Sequence, residues 1–343
     1  MTRTADTEVL VVGGGPVGLA AAIEARLAGR EVVVVEPRPS PVDKACGEGL
    51  MPGTLRALQR LGVDPEGWGL RGISYRTAAG RHVDHAFRTG SGRGVRRTTL
   101  HASLGARADQ LGVTRVVGRV TAVEQDDDGV TAAGVRARWL LAADGLHSTV
   151  RRLVGLERPV PRRRRRFGLR RHVALAPWTD LVEVHWARGA EAYVTPVGPD
   201  LVGVAILGPP HTDWDATLVA LPRLAERLAG AAPVGPTLGA GPLRQTTTAR
   251  TSGRVALVGD ASGYVDALTG EGLRVGLAQA RAAVAHLGDP AGYERAWREV
   301  TRDYRLLTSG LVAWAGTPAR RAIVPVAAGA PWLYGAVVER LAR

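Results

Sequence analysis

The chain has 343 residues, 45% apolar and 22% charged. That composition excludes wholesale disorder and leaves room for about two domains at roughly 150 residues each. Lys+Arg 45 against Asp+Glu 32 gives +13, and every basic residue except Lys44 is arginine. The single cysteine, Cys46, excludes a disulfide framework and a Cys-rich zinc site, and the absence of asparagine excludes N-glycosylation acceptors.

The first residues run into an apolar strand with no signal-peptide h-region, so a cytoplasmic location is expected. No run of ~18 uninterrupted apolar residues occurs. The nearest, Ala322 to Val338, is interrupted by Pro325 and Pro331 and predicts a pair of packed helices. The alternative for this segment is an apolar lid making peripheral contact with a membrane.

Glu8 to Val12 reads as a buried strand that ends in Gly13-Gly14-Gly15-Pro16-Val17-Gly18. An Ala-rich helix closed by Gly29 follows, then a second strand, Glu31 to Val35, ending in Glu36. Gly13, Gly15 and Gly18 fit G-x-G-x-x-G. Gly13 permits the tight turn, Gly15 lets backbone approach a pyrophosphate, and Gly18 lets the helix pack on the sheet. The helix N-terminus offers free N–H groups to phosphates. Glu36 at the tip of the second strand suits ribose hydroxyls and repels a 2′-phosphate, which leaves NAD or FAD rather than NADP. Pro16 and Arg38 belong to the same candidate cofactor set.

Two further strands end in aspartate turns. Arg138 to Ala142 leads into Asp144-Gly145-Leu146-His147-Ser148, and Arg254 to Val258 leads into Gly259-Asp260. Such turns at strand carboxyl ends suit a long cofactor lying along a sheet edge. The motifs GGGPVG…E, ADGLHSTVRR and ALVGDASGYVDALTGEGL, in that order over most of the chain, resemble the FAD-dependent oxidoreductases of the p-hydroxybenzoate hydroxylase fold. That superfamily includes aromatic-ring monooxygenases and geranylgeranyl reductases.

The resemblance implies FAD, with Asp260 at the ribityl chain and pyrophosphate. The Asp144-Gly145 turn would serve both FAD and an incoming nicotinamide nucleotide. Arg97 resembles the start of the family's Arg-x-x-Leu helix, which salt-bridges cofactor phosphates, although His101 stands where the family often has Asp. Val120 fits the strand that meets the adenine. Gly270, Glu271 and Gly272 open a helix whose amides would face the flavin pyrimidine and stabilise negative charge there. The loop Asp43 to Pro52, with Lys44, Cys46 and Gly47, resembles the family's segment passing along the flavin, and its C-G-x-G form resembles the geranylgeranyl reductase branch. An ammonium close to the thiol can lower the thiol pKa or relay a proton, so Lys44 and Cys46 are candidate catalytic residues.

Other readings carry less. His147 and Ser148 beside Asp144 lack the G-x-S-x-G elbow of a hydrolase. His82, Asp84 and His85 alternate along a strand and cannot all face one metal, so no metal is expected. Asp126-Asp127-Asp128-Gly129 predicts a hairpin turn with Gly129 at positive φ. The run Pro161 to Arg166 has no interleaved aromatics and reads as a solvated crossing between domains rather than a nucleic-acid site.

Period-2 alternation from Phe167 to Pro209 predicts an antiparallel substrate-domain sheet. In it Tyr193 to Gly198 resembles the family's Tyr-x-x-x-Pro stretch beside the flavin, where polyprenyl reductases usually show Tyr-x-Trp-x-Phe-Pro. The fold class expected is therefore α/β: a Rossmann-like FAD/NAD(P)-binding domain, an inserted antiparallel substrate sheet, and C-terminal helices. The expected segments are 1–70, 95–157 and 245–288 for FAD, 71–94 and 158–244 for substrate, and 289–343 for the helices.

The leading expectation for function is an NAD(P)H-using monooxygenase. It would hydroxylate an aromatic or polyketide-like metabolite with O2 through a flavin C4a-hydroperoxide, with Tyr193 and His185 as polar contacts and Tyr193 as a third candidate catalytic residue beside Lys44 and Cys46. The alternative is a C=C reductase acting on an isoprenoid substrate. A third reading is a non-catalytic flavoprotein or an Arg-rich nucleic-acid binder.

Overall fold

A computed structural model describes residues 5–343, so the first four residues of the expected 1–70 segment lie outside it. β-Branched residues dominate Ala5–Val12 and Val32–Glu36, and Val9, Leu10, Val11 and Val34 are almost completely buried. Strands covered on both faces favour parallel pairing. Ala5–Val12 lies between Val135–Ala142 and Val32–Glu36, parallel to both. Thr114–Val117 and Val255–Leu257 extend the sheet on either side, and a short Thr251–Ser252 strand closes one edge. The helix Pro16–Leu27 covers one face through its small residues Ala20, Ala21 and Ala22, with the Arg97–Gln110 and Gly272–Ala285 helices beside it.

The second sheet has seven strands, in the order Ala232–Ala240, Phe167–Ala174, Leu201–Gly208, Glu191–Gly198, Leu181–Trp186, Gly72–Thr77, His82–Ala86. The strands from Phe167 to Gly208 pair antiparallel as expected, and one parallel pair, Leu181–Trp186 with Gly72–Thr77, joins them to the earlier hairpin. Parallel pairing needs a long connection, and here it runs through the first sheet between His82–Ala86 and Phe167–Ala174. One face carries Val184, Trp186 and Tyr193 against the C-terminal helices Pro290–Ala315, Ile323–Gly329 and Pro331–Ala342. The last two of these helices meet at a bend of 100°, and no single described helix is long and apolar enough to cross a membrane.

Three local expectations change. The Asp126–Gly129 turn is closed by the Asp126 carboxylate, which accepts from the amides of Asp128 and Gly129, so no positive φ is needed at Gly129. Glycine is required there instead because a Cβ would come 2.9 Å from the Ala137 carbonyl oxygen. Val120 is in no strand; it lies buried in the connection between Thr114–Val117 and Val123–Gln125. Arg166 leaves the exposed arginine run and turns inward to pair with the buried carboxylates Glu191 and Asp266.

The turns that follow the strands Val135–Ala142 and Val255–Leu257 are tied together at Arg151, which is 1% exposed. Its guanidinium donates to the carbonyls of Leu146 and Ala261 and to Gln245 Oε1, and pairs with Glu157 at 3.3 Å. Arg151→Met should leave these acceptors unmet and destabilise the fold by about 3 kcal/mol. Urea unfolding checks this; Arg151→Lys should recover only part, because one ammonium cannot span the same acceptors.

Candidate cofactor and substrate site

Gly13 sits at φ +104°, and a Cβ on it would meet the Ala143 carbonyl oxygen at 2.5 Å. A Cβ on Gly18 would lie 1.8 Å from the Gly13 carbonyl oxygen. Side chains are therefore excluded at both positions by the contact between turn, helix and sheet. Gly15 differs, since the nearest atom to a Cβ there is Arg97 Nη2 at 3.7 Å. That open place faces a cavity of about 490 Å³.

Glu36 Oε2 accepts from the Gly14 amide at 2.8 Å, and Oε1 accepts from Arg38 Nε at 2.7 Å. Burial alone would raise the Glu36 pKa, but Arg38 and the Gly14 amide outweigh it and hold the carboxylate below its ordinary value. His101 performs a task an aspartate cannot. Its buried ring places Nε2 2.8 Å from the Gly14 carbonyl oxygen, which can only accept, so the ring donates and ties the Arg97–Gln110 helix to the glycine turn. Burial holds the His101 pKa down, in keeping with a neutral donor.

The cavity wall brings together Gly13, Gly15, Pro16, Glu36, Arg38, Lys44, Cys46, Gly47, Arg97, Val120, Asp144, Gly145, Tyr193, Asp260, Gly270 and Gly272. Gly18 is not on the wall; it acts through packing. Asp144 Oδ2 accepts from the Val150 amide at 3.0 Å. Asp144 Oδ1 and Arg97 Nε are buried without partners among the described residues. Burial pushes the Asp260 pKa up against the pull of Lys44, Arg97 and Arg151, and pushes the Lys44 pKa down against the pull of Asp260. An elongated cleft with a bare glycine turn, unpartnered donor and acceptor atoms and a cationic flank fits a dinucleotide such as FAD.

A buried hydrogen-bonded chain that the sequence does not disclose starts from Glu48 on this same wall. Glu48 is 3% exposed and adopts φ +59°, unusual for a side-chain-bearing residue. Its Oε1 accepts from the Arg97 amide at 2.9 Å, and its Oε2 lies 2.6 Å from His172 Nε2. His172 Nδ1 in turn meets Arg170 Nη1 at 2.8 Å, and Arg170 Nη2 pairs with Asp43 at 2.5 Å. Arg170 and His172, two residues apart, share one face of Phe167–Ala174, and the chain returns to the loop it started from. Lys44 and Cys46 lie within that loop, and Cys46 Sγ receives the Glu48 amide at 3.4 Å.

Two expected polar contacts are otherwise engaged. The Tyr193 hydroxyl donates to the Leu268 carbonyl at 2.7 Å, so the residue offers the cavity its ring. His185 bonds to Glu183 at 2.8 Å, and neither lines this cavity or the apolar one next to it, because Val182 and Val184 alternate with them and take the cavity side of the strand. Past Met51, Val182, Tyr193 and Gly270, which border both spaces, a second cavity of about 360 Å³ opens toward the C-terminal helices.

Glu48→Ala and Glu48→Gly both remove the carboxylate that caps Arg97 and binds His172. FAD affinity is expected to fall at least about ten-fold in each, because a buried charged hydrogen bond is lost. The glycine variant should be about 1 kcal/mol more stable than the alanine variant, because only alanine retains the left-handed strain. Flavin titration and urea unfolding measure the two effects separately.

Comparison with known proteins agrees with the geometry. Residues 6–292 match the family described as FAD binding domain. A menaquinone reductase of Mycolicibacterium smegmatis is 30% identical over 344 residues, covering 87% of this chain and 80% of that protein. A digeranylgeranylglycerophospholipid reductase 1 of Methanothermobacter thermautotrophicus is 27% identical, covering 87% and 84%. A para-nitrophenol 4-monooxygenase of Pseudomonas sp. is 33% identical over 180 residues, only 43% of this chain and 42% of that protein. In fold, p-nitrophenol 4-monooxygenase PnpA from Pseudomonas putida DLL-E4 superposes with a TM-score of 0.77 at 21% identity, over 99% of this chain and 95% of that one. With glycine turn, aspartate turns and family match in agreement, the chain belongs to the FAD binding domain family, among flavoproteins of the p-hydroxybenzoate hydroxylase fold.

Proposed function

We propose that this flavin-dependent oxidoreductase reduces a C=C bond in an apolar, isoprenoid-like substrate, with NAD(P)H as reductant. The second cavity is the observation that carries this reading. Its wall is made of Leu, Ile, Val, Ala and aromatic side chains with few polar groups, the setting an apolar chain needs. A phenol would call for polar contacts, and the two expected ones, Tyr193 and His185, are engaged elsewhere, which leaves Glu271 as the one charged residue lining the cavity. The reductase relatives also match over most of the chain, against less than half for the monooxygenase. Leu306, Val326 and Leu333, with Trp332 beside them, expose apolar surface at this cavity and suit entry of a lipid-like substrate from a membrane surface.

FAD, when bound, supplies the hydride for one alkene carbon. The other carbon needs a proton, and Cys46 and Lys44 on the cofactor-cavity wall are the candidate sources. Burial of the Lys44 ammonium eases loss of its proton, and the Glu48 amide points at the sulfur that a departing proton would leave charged. The chain's remaining task is to exclude water from the junction at Met51, Val182 and Tyr193. Hydroxylation of an aromatic ring with O2 is the second reading, supported by the likeness to the para-nitrophenol enzyme over part of the chain.

Dithionite-reduced, FAD-loaded protein under nitrogen should convert geranylgeraniol to a product two hydrogens heavier, read by mass spectrometry. Cys46→Ser should slow that step by about ten-fold or more while leaving FAD affinity unchanged. NAD(P)H consumption that requires air and adds oxygen to an aromatic substrate, with no anaerobic alkene reduction, would establish the second reading instead.

A further inference from the structure

The Gly272–Ala285 helix begins between the two cavities. Gly270 and Gly272 border the cofactor cavity, whereas Glu271 lines only the apolar one and is the one charged residue among the described residues that line it. Glu271 is 1% exposed. Its Oε2 pairs with Arg274 one turn along the helix, and its Oε1 is buried without a partner among the described residues. Most other polar groups on that wall are already engaged. Tyr193 donates to the Leu268 carbonyl, Tyr334 donates to the Ile73 carbonyl at 3.2 Å, and Thr269 bonds to Thr308 at 2.8 Å. A buried oxygen left unpaired destabilises the protein unless something entering the cavity completes it.

We propose that Glu271 is a specificity-determining residue whose carboxylic acid donates a hydrogen bond from Oε1 to a carbonyl-type oxygen on the apolar substrate. The inference rests on the reading of the second cavity as the substrate site and adds the polar feature that site selects. Burial pushes the Glu271 pKa up to about 7, against the pull of Arg274. Near neutrality the acid form, the only form able to donate, is therefore well populated. The facing Pro290–Ala315 helix contributes leucines, and Tyr75, Tyr193 and Tyr334 on the other walls stay neutral because burial raises their pKa values. Arg274 is thus the charged partner governing this titration. Above the pKa the carboxylate repels a carbonyl oxygen, so the preference for such a ligand falls as pH rises.

Equilibrium dialysis of FAD-loaded protein against farnesylacetone and its hydrocarbon analogue, in which CH2 replaces the carbonyl, tests this. At about pH 6 the ketone should bind about ten-fold more tightly than the hydrocarbon, with most of that advantage gone by about pH 8.5. Glu271→Gln, whose amide donates at any pH, should keep the ketone preference at both. Glu271→Ala should abolish the preference while leaving hydrocarbon affinity intact, which controls for folding. Equal affinity of the native protein for both probes at the lower pH would overturn the role of Glu271 alone. So would a pH-dependent preference that survives in Glu271→Gln. Failure of both probes to bind at either pH would overturn the cavity reading, and this inference with it.

Discussion

The contact between Glu48 and His172 holds the two halves of the molecule in register. Both side chains are 1% exposed, and they lie 124 residues apart in sequence. One belongs to the loop that borders the cofactor cavity and the other to the substrate sheet. A buried carboxylate is tolerated only where hydrogen bonds replace water, and Glu48 obtains them from the Arg97 amide and from His172. Arg170 and Asp43 extend the same chain, so displacing the loop would strand several buried polar groups together. That coupling fixes Lys44 and Cys46 relative to the sheet more firmly than loop packing alone. Positive φ at Glu48 is consistent with the same constraint: the surrounding bonds hold a backbone conformation that costs free energy.

The arginine excess takes on a structural meaning in this setting. Arg151, Arg166 and Arg170 are drawn inside, where each satisfies two or more acceptors. A planar guanidinium can span acceptors on different strands, which a lysine ammonium cannot do with the same geometry. The lone lysine sits where that breadth is not required, with its ammonium 3.2 Å from the position a Cβ on Gly145 would take, under the influence of Asp260. Burial there eases loss of the Lys44 proton, a property guanidinium lacks.

The glycine turn, the acid after the second strand and the two aspartate turns were legible because each is encoded by adjacent residues whose backbone needs are local. The Glu48–His172 chain was not, because nothing in Gly47-Glu48-Gly49 indicates which distant strand supplies its partner. Alternation along Leu181–Trp186 disclosed two faces but not which one turns to the cavity, so His185 was expected on the wrong side. Arg166 was hidden by its neighbours, since a charge run reads as solvated until one member finds Glu191. Gly129 illustrates a subtler failure. The turn was correct but its cause was not, because a side-chain carboxylate replaced the backbone conformation expected there.

One short segment, Gly270-Glu271-Gly272, divides the two spaces of the site. Glycines on either side allow backbone to border the cofactor cavity without a Cβ, while the residue between them lines the apolar cavity instead. At Gly272 the restriction is tight, because a Cβ would come 3.0 Å from the Tyr264 ring. A helix N-terminus and an acid on one turn would ordinarily reinforce each other by favouring the carboxylate. Burial works against this at Glu271, and the acid is pulled toward its neutral form. The positive end of the helix is then left facing the cofactor cavity with its potential only partly compensated. The same burial that makes Glu271 a donor toward the apolar cavity therefore preserves the field that a reduced, anionic ring on the other side would need.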